Sequence, residues 1–178
     1  MSKPAAPGDP GEKPTLEAAV RPGSARRASM AERNRRRAWL LSLAGFVPFA
    51  FLAVGLLVMD VSNPQRLIVV DTLKTYAAII LSFLGGIRWG ASVRHPSENW
   101  TGPTFTLSVV PSLVGWAAIF LSAPLTFGVL ALAFAAQGAW DAFSAQQGRF
   151  GLWFARLRTV LTLLVVGVLL VSLFATAI

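Results

Sequence analysis

Few side chains in this 178-residue sequence could do chemistry, and most of those stand alone. It has no Cys, which removes disulfides, thiol nucleophiles, c-type haem attachment and thiolate metal sites together. The single His, His95, cannot by itself build a histidine metal site or a bis-histidine haem, and beside Pro96 in a polar stretch it reads as a solvated loop residue. Ser82, Ser108 and Ser112 have no His in reach to activate a hydroxyl. The carboxylates form no acid–base pair, because Asp60 and Asp71 fall at one end of the apolar segments and Glu98 and Asp141 at the other. There is no GxxxxGK phosphate loop, and Gly85-Gly86-Ile87-Arg88-Trp89-Gly90 lacks the GxGxxG spacing. The expectation is a non-enzymatic protein with no catalytic, cofactor-binding or metal residues.

Two patterns remain. Arg88 lies inside an apolar stretch, where an unpaired guanidinium is costly and a partner is expected. Asp141 is the nearest carboxylate by topology, and Gln137, one helical turn earlier, shares its face. Arg88, Asp141 and Gln137 are therefore the candidate polar cluster, read as a structural ion pair or simple snorkelling, with a proton relay or substrate site as the other reading. The second pattern is Ala78, Ser82, Gly86 and Gly90, a small-residue stripe at four-residue spacing that would let another helix backbone approach closely. A hinge or conduit is its alternative. Arg88 falls on the opposite flank with Leu81, Leu84 and Gly85, which makes this helix central in any bundle.

The elements that carry these residues are set by hydropathy. Hydrophobic residues make up 54% of the chain and charged ones 13%, about half the usual soluble share of roughly 25%. Mean hydropathy is +0.61. The net charge of +8 is concentrated in the first 37 residues, which hold nine bases and four acids without interleaved aromatics, so nucleic acid is not an expected partner. That segment, rich in Pro, Gly, Ala, Ser and Arg, is expected to be a disordered cytoplasmic tail (1–37). A secretory signal would place its apolar core within about the first 15–30 residues, whereas here the first apolar run opens at Trp39. Arg33, Arg35, Arg36 and Arg37 read as a topogenic signal, with lipid headgroup binding as the alternative.

Residues 38–178 are expected to form an all-α integral membrane domain of five spans, about 39–59, 67–93, 103–121, 124–140 and 157–178. Asn63-Pro64 reads as an N-cap and first-turn Pro opening the second span. The charge-free stretch of that span, Thr75 to Ile87, covers only about 20 Å, so Lys74 and Arg88 are expected to snorkel to opposite interfaces. From Asn99 to Trp140 there is no charge at all, enough for two crossings, with the break at Ser122-Ala123-Pro124. Asp141 to Arg149 then reads as a polar linker. Alternating five spans puts fourteen bases on the tail side and two, Arg66 and Lys74, opposite, so the N-terminus is expected in the cytoplasm and the C-terminus outside. Trp39, Trp89, Trp100, Trp140 and Trp153 collect at the same cytoplasmic interface; Trp116 alone falls mid-membrane.

The string from Tyr76 to Gly90, Tyr-Ala-Ala-Ile-Ile-Leu-Ser-Phe-Leu-Gly-Gly-Ile-Arg-Trp-Gly, resembles the signature of a family of small polytopic membrane proteins catalogued as a domain of unknown function, which includes animal transmembrane protein sixty-nine. Gly45 with Pro48-Phe49, Asp141, and Trp153-Phe154 followed by Leu157-Arg158 and Leu161-Thr162 are similar to it as well. The linker before Trp153, where the family often carries Pro, is here Gln146-Gln147-Gly148-Arg149, and at Arg88 the family also accepts His. The resemblance implies a bacterial inner-membrane or mitochondrial inner-membrane location and supplies no activity. The functional expectation is an accessory, scaffold or assembly component whose partners are the bilayer and other membrane proteins or further copies of itself. A small-solute or ion transporter acting as an oligomer is the alternative, its features being Pro48, Pro111 and Pro124 as helix discontinuities.

Overall fold

A computed structural model describes residues 22–94, 103–146 and 152–177. Five helices follow one another: α1 (Pro22–Val58), α2 (Gln65–Arg94), α3 (Pro103–Ile119), α4 (Ala123–Gln146) and α5 (Leu152–Ala177), with no strand among the described residues. The chain divides into two units, Met1–Ala38 and Trp39–Ile178.

In the first unit the structure corrects the boundary of the expected disordered tail. Residues 22–37 are helical, whereas residues 1–21 lie outside the described residues. Pro22 suits a first turn, and Ala, Arg, Met and Glu lose little freedom on entering a helix. Glu32 and Arg35 pair one turn apart, and residues 29–37 are exposed, so this stretch is helical by propensity rather than by packing.

The second unit is the membrane bundle. Its surface is inverted relative to a soluble protein: Leu41, Phe51, Phe120 and Leu132 are each more than 70% exposed. Four helical stretches, Ser29–Val58, Gln65–Gly90, Ala123–Ser144 and Trp153–Ala177, are long and apolar enough to cross a bilayer, and the apolar helix Phe105–Ile119 is shorter. That shorter helix is placed by its register. Lys74 meets Leu121, Ser82 meets Ser112 and Trp89 meets Phe105, so α3 runs antiparallel to α2 and spans the depth between Lys74 and Trp89.

The α1–α2 turn forms as the Asn63-Pro64 signal requires: Gln65 N–H donates to Asn63 Oδ1 at 2.9 Å. Ser122 begins the return into α4, accepting from Thr126 N–H at 2.9 Å. The expected polar linker after the fourth span is corrected. Helix α4 continues to Gln146 and α5 begins at Leu152, so Asp141 lies within a helix rather than in a loop. Asp-Ala-Phe-Ser-Ala-Gln contains no Gly or Pro to stop it.

Helix α2 packs on α3 and α4, and α4 packs in addition on α3 and α5, so α4 shares the centre of the bundle with α2. Phe49 of α1 sits edge-on to Tyr76 of α2 at 5.0 Å and to Phe134 of α4 at 6.1 Å, in a core completed by Leu73, Leu81, Leu130 and Leu169. Tyr76 also donates its hydroxyl to the carbonyl of Gly45 at 2.7 Å, in the turn preceding Pro48, where the proline ring loosens the helical ladder.

Candidate functional site

The polar residues of the bundle fall into two layers, one at each end of α2. At the C-terminal end of α2, Arg88 Nη2 donates to Asp141 Oδ1 at 2.7 Å and Arg158 Nε donates to Asp141 Oδ2 at 2.7 Å. All three side chains are less than a tenth exposed. The carboxylate thus clamps α2 and α5 onto α4 through charge-assisted bonds in a low-dielectric setting. The Arg88 guanidinium also lies 4.7 Å from the centre of the Trp140 ring.

The structure therefore brings Arg88 and Asp141 together, with Gln137 buried one turn from Asp141 on the same helix. Arg158, counted in the sequence among the tail-side bases and in the family-like pair Leu157-Arg158 but not in the polar cluster, is the member that sequence reasoning missed. Its signal was helical spacing: Val165, Leu169 and Ser172, the buried face of α5, follow at 7, 11 and 14 residues. A close approach of the two helices lets it reach Asp141. A Cβ on Gly138 would lie 2.5 Å from Thr162 Oγ1, so α4 and α5 touch one turn from the clamp. Two buried nitrogens, Arg158 Nη2 and Gln137 Nε2, have no hydrogen-bond acceptor among the described residues.

The small-residue stripe needs correction. Its first half packs as expected: Ala78 backbone lies 3.1 Å from where a Gly115 Cβ would be, and Ser82 Oγ and Ser112 Oγ share a hydrogen bond of 2.8 Å. Gly86 and Gly90 are exposed and face open space. The tight glycine is Gly85, where an added Cβ would collide with the carbonyl oxygen of Ser108 and touch Pro111. Four-residue spacing drifts around a helix of 3.6 residues per turn, so over three steps the stripe leaves the α3 seam that Gly85 keeps.

The expectation that Lys74 snorkels is also overturned. Lys74 is buried and donates to the carbonyl of Leu121 at 3.0 Å, with Asp71 at 3.8 Å. Thr126 Oγ1 covers the neighbouring carbonyl of Ala118 at 2.8 Å. Arg66 does the same for two other helices, donating to Leu56 and Met59 of the first segment and, at 2.6 Å, to Ala175 of α5. Carbonyls at helix C-termini have no intrahelical partner, and a cation satisfies them while opposing the negative end of the dipole. Both bases of the layer at the N-terminal end of α2 thus join helices. No group of three His, Asp or Glu residues that could hold a metal occurs among the described residues, and His95 and Glu98 lie outside them.

A family model described as a protein of unknown function, DUF3429, matches residues 34–174. The chain belongs to the DUF3429 family. The match takes in Arg88, Asp141 and Arg158. Among curated proteins, the chain is similar to Transmembrane protein 69 of Xenopus tropicalis, 31% identical over 141 residues that cover 78% of this chain and 54% of that protein. It is also similar to Transmembrane protein 69 of Mus musculus, 33% identical over 95 residues, 52% of this chain and 37% of that protein. The chain thus spans about half the length, or less, of these relatives. No solved structure matches it. With its long apolar helices and exposed apolar surface, this DUF3429 protein is a membrane protein.

Proposed function

We propose that the protein is a non-enzymatic accessory or scaffold component of a larger assembly in a bacterial inner membrane, or in its mitochondrial counterpart, with the N-terminus in the cytoplasm or matrix. One observation carries the reading: the charged side chains inside the bundle, Arg66, Lys74, Arg88, Asp141 and Arg158, each bond to another helix. Asp141 gives one oxygen to each of two arginines, Lys74 and Arg66 cap the ends of other helices, and the Ser82 and Ser112 hydroxyls bond each other. Such a network supports a rigid bundle rather than a reaction centre. The open Gly86–Gly90 face of α2, flanked by exposed Phe83, is surface on which another membrane helix can pack.

The experiment is crosslinking in native membranes followed by mild solubilisation and purification of the tagged full chain. Recovery in a stoichiometric complex with a larger membrane protein, through crosslinks on α2, is the expected result. Isolation as a homo-oligomer that moves a solute across proteoliposomes would overturn the proposal in favour of transport.

A further inference from the structure

We propose that the helical arm at residues 22–38 binds the headgroups of anionic phospholipids in the leaflet on its own side of the membrane. Those residues hold six arginines against one carboxylate, Glu32, which pairs with Arg35. Arg27, Arg33, Arg36 and Arg37 are exposed and make no ion pair among the described residues. At about 100° of rotation per residue, Arg27, Arg33, Arg35, Arg36 and Arg37 surround the helix axis with no gap wider than about 100°. No apolar face opposes them, since the one large apolar side chain of the arm is Met30, itself exposed. What the arm binds, it binds through charge rather than by burying a hydrophobic face.

The arrangement selects the class of anion. A duplex groove or a protein pocket reads one face of a helix, and bases meant for it fall along one stripe. Charge on every side instead suits anions on every side, as in a layer of headgroups. Tethering favours the same source. Arg35, Arg36 and Arg37 lie two to four residues before Trp39, where the apolar run opens, so even a fully extended chain at ~3.6 Å per residue keeps them within about 14 Å of it. That is about the thickness of a headgroup layer plus one Debye length of ~8 Å. Each planar guanidinium can offer a phosphate two parallel N–H donors. Residues 22–38 contain no aromatic side chain on which a base could stack, which disfavours single-stranded nucleic acid. A topogenic signal has done its work once the helices are inserted, whereas headgroup binding persists in the finished protein. It also needs no docked partner, so this proposal and the accessory role can each fail without the other.

The test uses purified full-length protein in lipid nanodiscs, whose two leaflets are alike, so that orientation does not enter. The chain has no Cys, and Met30→Cys therefore gives a single attachment point for a nitroxide whose mobility is read by electron paramagnetic resonance. Discs of phosphatidylcholine are compared with discs in which part of it is replaced by phosphatidylglycerol. The label is expected to slow several-fold with phosphatidylglycerol and to be released towards 1 M salt, where the Debye length falls to ~3 Å. Arg33→Gln, Arg35→Gln, Arg36→Gln and Arg37→Gln combined should remove most of the slowing. Equal mobility in the two kinds of disc overturns the proposal. So does slowing that survives the four substitutions, which would place anion selection on other bases of the chain. Slowing reproduced in phosphatidylcholine discs by inorganic phosphate or by an RNA oligonucleotide would make the ligand a soluble one and overturn it as well. Should a variant not accumulate, spin-labelled lipids report on the parent itself: a several-fold preference for phosphatidylglycerol that salt abolishes, and that trypsin removal of the arm lowers, supports the proposal, and a preference unchanged by trypsin refutes it.

Discussion

Gly85 of α2 and Ser108 of α3 meet backbone to backbone, with no room for a methyl group between them. Gly86, the next residue, touches nothing. Gly85→Ala should therefore force the two helices apart and cost roughly 1–3 kcal/mol, as overpacking does, while Gly86→Ala should melt like the parent or slightly higher. Thermal unfolding of both variants in one detergent checks the contrast, and equal melting temperatures would contradict the seam.

The clamp predicts an asymmetric mutant cycle. Asp141→Leu leaves two buried guanidiniums without their shared acceptor and should be the most damaging single change, at about 3–5 kcal/mol. Arg88→Leu and Arg158→Leu each leave the carboxylate one partner and should cost less. Combining either with Asp141→Leu should lose less than the sum of the single losses. Strictly additive losses would mean that the three side chains do not share an interaction.

At the other end, Arg66→Met should leave the carbonyls of Leu56, Met59 and Ala175 without their donor. Hydrogen exchange should then accelerate at the last turns of both the first and the fifth helix, although the two ends lie far apart in sequence. Lys74→Met should do the same at the end of α3 only. Acceleration confined to α2 in either variant would show that these cations do not cap their neighbours.

The distribution of bases, fourteen on the tail side of the five helices and two opposite, predicts topology. A reporter joined after Ile178 should register the outer face, and one inserted at Gln147 the cytoplasm. Both reporters reversed would mean that α3 does not cross, and both on one side that α5 does not.

Helix number, the α1–α2 turn and the Arg88–Asp141 pairing were legible because hydropathy, the Asn63-Pro64 cap and the cost of a lone intramembrane charge are local or topological signals. The roles of Lys74 and Arg66 were not. Each donates to a backbone carbonyl of a distant helix, and every residue has a carbonyl, so no side-chain pattern points to the partner. Gly85 was passed over because regular spacing favoured Gly86, whereas contact with α3 depends on the angle at which two helices cross. Arg158 was hidden by its place near a helix end, where a base ordinarily reaches headgroups. The helical start at Pro22 reflects propensity, which composition rich in Pro and Gly masked.

The reach of α2 has a consequence for biogenesis. This helix leaves the ribosome carrying Lys74 and Arg88, whose acceptors are synthesised 47 and 53 residues later, and Arg66, which already has the carbonyls of Leu56 and Met59 and gains that of Ala175 109 residues later. Each newly inserted helix therefore supplies an acceptor to one cation on the same early segment, with α3 arriving first, α4 next and α5 last. A nascent chain halted before α4 presents an intramembrane arginine without its carboxylate, the kind of exposed charge by which an unfinished membrane protein can be told from a finished one. Completion of the bundle is thus registered in the chemistry of its second helix.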